Sequence, residues 1–269
     1  MDSQWANIEF DKTAKRSMSV RVYEGARRSK TPPVILYLHG GAFLDLNQEP
    51  ERPVARALAE SGAIVVEADY STPTQNAFPQ VLEYAFGALR CLSGKRNQFG
   101  AARSLLLVAG EEAGGNVAAG VALKARDLMP DELDGQILLS PMIDPLMATA
   151  SFRNAERIGM RERWSEGWSH YLGSGGISHP YAAPCQCSRL VGLAPALVVT
   201  AEDDPLRDEA TGYACRLRLA GVHVRQQILP TGAGWTGIYR KDCSEGGKWL
   251  RPLRTQFEGF LQELSDRSH

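Results

Sequence analysis

The sequence predicts an α/β fold: a doubly wound, mostly parallel sheet with helices on both faces. Short β-branched or aliphatic runs alternate with stretches of helical period along the 269 residues, the pattern of strand–helix–strand units. The runs Val34–Leu38, Leu105–Ala109 and Ala196–Thr200 are almost continuously apolar, as strands covered on both faces must be. Finally, Gly110 and Gly114 flank Glu112 two positions away on either side. That spacing marks a sharp strand-to-helix turn, where side chains at the flanking positions would collide.

Taken in order, the expected strands are Met18–Tyr23, Val34–Leu38, Ala63–Ala68, Ser104–Ala109, Gln136–Ser140, Ala196–Thr200 and Val222–Leu229. Helical periodicity places helices at Glu51–Ser61, Phe78–Leu92, Ala113–Asp127, Leu206–Ala220 and Lys248–Leu264. The stretch from Asp144 to Pro184 breaks this rhythm. It is rich in arginine, carries Trp164, Trp168 and Tyr171 on one helical face, and then runs through Gly173–Gly176. It is expected to be a small inserted segment, roughly 144–184, over the sheet edge of a single domain spanning 1–269. The chain shows no internal repeat and no low-complexity tract.

Hydrophobic residues make up 43% of the chain and charged ones 23%, which suits a globular domain with a full core. The formal net charge is −1, so there is no electrostatic case for a nucleic-acid partner. No apolar run of about 18 residues occurs, which argues against membrane insertion. Residues 1–17 lack the apolar core of a signal peptide. The five cysteines are odd in number and scattered, so a reducing cytoplasm is the expected location. Cys185 and Cys187 lack a second pair or a histidine cluster and are expected to be loop cysteines rather than a metal site. Gly232–Gly237 is glycine-rich but does not read Gly-x-Gly-x-x-Gly before a helix. No metal and no cofactor is expected.

In such sheets ligands gather outside the carboxyl ends of the strands. Four loops fall there: His39-Gly40-Gly41-Ala42-Phe43, Gly110–Gly115, Glu202-Asp203-Asp204-Pro205 and Pro230–Gly237.

The chain resembles the hormone-sensitive-lipase branch of the α/β-hydrolases, the bacterial carboxylesterases with a His-Gly-Gly loop. Carrying the resemblance are Tyr37–Phe43, Asp69-Tyr70 with Phe78-Pro79, Gly110–Asn116, Ser140-Pro141, Tyr171-Leu172-Gly173, Pro180–Pro184 and Asp204–Glu209. By resemblance, Gly41, Ala42 and Ala113 donate the backbone N–H groups of an oxyanion hole, and Asp204 is the acid of a catalytic triad. His39, Gly40, Phe43, Glu111 and Trp235 fall at substrate-side positions. The chain departs from the family at two places. Glu112 stands where the family has its nucleophilic serine, and Trp235 matches the triad histidine.

Three roles stay open for Glu112: a carboxylate nucleophile, a general acid or base beside the oxyanion hole, or a plug whose carboxylate fills that hole. Asp204 equally suits the N-terminal turn of the following helix, with Pro205 behind it. Trp235 is either an aromatic wall for a flat ligand or a filler of vacated volume. His170 and His179 are expected to be surface histidines, and Thr231, Thr236, Tyr239 and Ser71 are the nearest hydroxyls. Two functions of different class follow. One is a non-hydrolytic acid–base enzyme acting through Glu112 and Asp204 on a small apolar carbonyl metabolite. The other is an inactive binder or partner protein, comparable to the plant gibberellin receptor. Weak residual ester hydrolysis is a third. The resemblance also implies a possible homodimer through an edge strand or the last helix.

Overall fold

The computed structural model describes residues 5–11, 16–26, 29–44, 52–70, 77–173, 178–240 and 247–267. Among them eight strands form one sheet: β1 (Trp5–Asp11), β2 (Arg16–Glu24), β3 (Val34–Leu38), β4 (Ile64–Ala68), β5 (Leu106–Glu111), β6 (Gly135–Leu139), β7 (Ala196–Ala201) and β8 (Val224–Leu229). The order across the sheet is β1-β2-β4-β3-β5-β6-β7-β8. β1 pairs antiparallel with β2, and β2 antiparallel with β4, while every pair from β4 to β8 is parallel. The expected fold class is therefore observed.

Every residue of β3, β5, β6 and β7 is buried, because helices cover both faces. On one face α1 (Pro53–Glu60) and α7 (Leu250–Arg267) pack over Ile35, Val65, Leu107 and Leu197, with Trp235 and Trp249 in the same cluster. On the other, α2 (Gln80–Gly94), α4 (Glu112–Leu128) and α6 (Arg207–Leu219) cover Leu36, Val66, Val108 and Val198. α3 (Arg96–Phe99) is a single turn after α2, and α5 (Arg161–Leu172) lies within the 144–184 stretch. Trp164, Trp168 and Tyr171 of α5 join the second cluster, as their helical spacing predicts.

Three differences from the sequence expectation stand out. β1 was not expected. The last strand begins at Val224 rather than Val222, because the Val222 N–H turns back onto the Leu217 carbonyl. α6 begins at Arg207, so Asp204 and Pro205 lie in the turn before it and not at its N-cap and first position.

Candidate active site

β5 ends at Glu111 and α4 begins at Glu112 with no residue between them. That turn holds Glu112 at φ 53°, a left-handed conformation that costs a non-glycine residue about 1–3 kcal/mol. The flanking glycines are a steric necessity. A Cβ on Gly110 would lie 2.3 Å from the Gly114 carbonyl oxygen, and one on Gly114 would lie 2.0 Å from that of Leu38.

Parallel pairing puts Leu38 opposite Gly110, so the loop after β3 emerges beside the elbow. Within it Gly41 (φ 137°), Ala42 (φ 56°) and Phe43 (φ 58°) follow one another with positive φ. This turns two successive N–H groups toward Glu112. Its Oε2 accepts from Gly41 N at 2.5 Å, Ala42 N at 2.8 Å and Ala113 N at 3.1 Å. The other oxygen, Oε1, accepts from the indole Nε1 of Trp164 at 2.5 Å. All four partners are donors, which suits an acceptor-only carboxylate, and Glu112 opens α4, where the helix dipole favours negative charge. The side chain is wholly buried. The three amides expected to form an oxyanion hole thus converge on one atom of the chain itself.

Glu111 turns to other partners. It accepts from Gly40 N at 2.9 Å and from the Tyr37 hydroxyl. Burial pushes its carboxyl up to about 7, against the lowering effect of those bonds and of Arg52. Gly40 is wedged between the two glutamates, and a Cβ there would approach Glu112 Oε2 to 2.9 Å.

Asp204 anchors a second buried network. Its Oδ2 accepts from the Ser140 hydroxyl and from Thr200 Oγ1 at 3.1 Å; its Oδ1 accepts from Leu206 N at 2.8 Å and Tyr239 Oη at 2.9 Å. Burial raises its pKa, and all four bonds oppose that rise. Trp235, fully buried, donates Nε1–H to Ser140 Oγ at 2.7 Å and meets Trp249 edge-on, ring centroids 6.0 Å apart. Where the resemblance places a histidine on the aspartate, the chain has an indole on a serine on the aspartate. Glu112 and Asp204 share no direct bond. They are linked through rings: Trp164 on Glu112 and Tyr239 on Asp204 are in contact at 5.8 Å.

α5 closes over this assembly. Besides Trp164, it presses Gly167 so close to the loop that a Cβ would sit 1.8 Å from the Ala42 carbonyl oxygen. Phe43 stacks on Tyr171 at 4.1 Å and 3° and touches Trp168 at 5.1 Å.

His39 is buried, its Nδ1 2.6 Å from the Gly40 carbonyl oxygen, and burial lowers its pKa. His170 is exposed, and His179 lies exposed between Phe78 and Tyr181; neither is bonded to Glu112 or Asp204. His223 precedes β8 and pairs with Glu263 at 2.9 Å. Thr231 bonds Glu202, and Ser71 lies outside the described residues. Of the hydroxyls weighed from sequence, Tyr239 reaches the site. Ser140 was passed over as a hydroxyl, although its place at the end of β6, before Pro141, was a usable signal; it is held at φ 42°.

Residues 35–233 match the α/β hydrolase fold family. The chain belongs to that family. This member is 31% identical over 242 residues to esterase LipI of Mycobacterium tuberculosis, spanning 84% of this chain and 74% of that protein. It is 26% identical over 247 residues to the gibberellin receptor of Arabidopsis thaliana, spanning 87% and 67% respectively. Among solved structures, a thermostable esterase from Pseudomonas putida superposes with a TM-score of 0.81 at 28% identity, covering 95% of this chain and 82% of that one. The resemblance to carboxylesterases of the hormone-sensitive-lipase type holds for this family member.

Proposed function

We propose that this family member does not hydrolyse esters and serves recognition, as a small-molecule binder or partner protein, with Glu112 seated in its own oxyanion hole. The observation that carries this reading is the convergence of the Gly41, Ala42 and Ala113 N–H groups on Glu112 Oε2. An ester hydrolase needs those donors aimed at the oxygen of its substrate. A substrate oxygen here competes with a carboxylate already tethered in place, which pays no translational or rotational entropy to occupy the hole. Hydrogen bonds to a charged group contribute roughly 1.5–3 kcal/mol each, and both oxygens of Glu112 are engaged.

The same engagement argues against Glu112 as a proton carrier, because neither oxygen faces open space. Trp235 cannot replace the base, since its indole nitrogen is a donor only. Asp204 is committed to Ser140, Thr200, Leu206 and Tyr239. That one relative in this family is named a receptor is in keeping with a recognition role.

Turnover of short-chain nitrophenyl esters by the purified protein, beside a Glu112→Ala variant, tests the reading. The expected result is no turnover by the wild-type protein above the protein-free rate. Robust turnover that disappears in Glu112→Ala would make Glu112 a catalytic carboxylate and overturn the proposal.

A further inference from the structure

We infer that the four donors around Glu112 form a receptor for a small monocarboxylate, occupied in the native chain by Glu112 itself, and that this occupant holds α5 shut. The inference rests on the self-filled hole proposed above and adds the ligand class and the coupling to α5. Three main-chain amides gather on one carboxylate oxygen, and Trp164, 52 residues further along the chain, binds the other. A single oxyanion would satisfy only the three amides. The fourth donor therefore selects a two-oxygen group, a carboxylate.

The indole belongs to α5, which also meets the loop by packing: Gly167 against the Ala42 carbonyl, and Tyr171 and Trp168 against Phe43. The Glu112 carboxylate is hydrogen-bonded both to the loop after β3 and to α5. Its removal leaves the indole N–H and three amides without that acceptor in a buried space, which opens the layer to water.

Chemistry also specifies the ligand. Truncation of Glu112 to alanine deletes one methylene and the carboxylate, a fragment matching acetate. Truncation to glycine deletes one carbon more, matching propionate, and relieves the φ of 53°.

Acetate and propionate, with chloride as ionic-strength control, are titrated into wild-type protein, Glu112→Ala, Glu112→Gly and Glu112→Ala/Trp164→Phe. Thermal stability and amide exchange of the α5 peptide are followed. In Glu112→Ala, α5 is expected to exchange faster than in wild type. Acetate in excess restores its protection and raises Tm by several degrees, about 2–4 °C for each tenfold rise in acetate concentration above its Kd. Glu112→Gly prefers propionate, while wild type and the double variant respond to neither. Equal response to chloride, or none in folded Glu112→Ala, overturns the inference. If the truncated variants do not fold, Glu112→Gln takes their place. Its amide sets N–H against a donor, and unchanged α5 exchange in that variant overturns the coupling. Ester turnover in wild type tests the hole's lack of use and is read independently of this result.

Discussion

Glu111 and Glu112 are chain neighbours, both buried, and each holds a different part of one loop: Glu111 takes the Gly40 N–H, Glu112 those of Gly41 and Ala42. Glu111 has a consequence for stability against pH. Burial raises its carboxyl from 4.5 to about 7, so the folded chain binds this proton more tightly than the unfolded chain. The associated stability is full below pH 4.5 and is lost as pH rises through about 7. Glu111→Gln removes that loss. The Tm of the variant minus that of wild type is expected to climb between these pH values and then level off. Glu209, raised to about 8, is present in both proteins and cancels in the difference. A difference that stays flat across the window would show that Glu111 keeps an ordinary carboxyl in the fold.

α5 closes over the loop that follows β3, and its fit depends on Gly167. Gly167→Ala forces a Cβ against the Ala42 backbone and is expected to cost roughly 1–3 kcal/mol, as overpacking does. Gly212→Ala in α6 meets nothing within 4 Å and is expected to gain about 0.5–1 kcal/mol from helix propensity. Urea unfolding of the two variants reads the contrast, and equal shifts would remove the close approach of α5 from the account. This element was legible in the sequence, since Trp164, Trp168 and Tyr171 fall on one helical face. The central strands were legible because burial on both faces leaves a continuous apolar run. β1 was missed although Ala6, Ile8 and Phe10 alternate with polar residues, the period-2 signal of a strand. The site was legible in its loops and in the open alternatives for Glu112. The bond from Trp164 to Glu112 was not, nor was the bond from Trp235 to Ser140, 95 residues apart. Such contacts depend on the path of the folded chain and leave no local pattern.

The sheet grades in burial from its centre to its β8 side. β3 and β5 are buried at every position, whereas β8 is half-buried along most of its length and Ile228 is 39% exposed. Native-state hydrogen exchange is expected to be slowest in β3 and β5 and faster in β8, because opening of a half-covered strand exposes less apolar surface. Equal protection of the β8 and β5 peptides would mean the molecule opens only as a whole. The elbow and its loop leave the ends of β5 and β3, two of the fully buried strands, and the three groups that converge there belong to the main chain. Substitution at 41, 42 or 113 cannot delete such a group unless proline removes the N–H. Descent can therefore change who occupies this seat far more easily than it can abolish the seat.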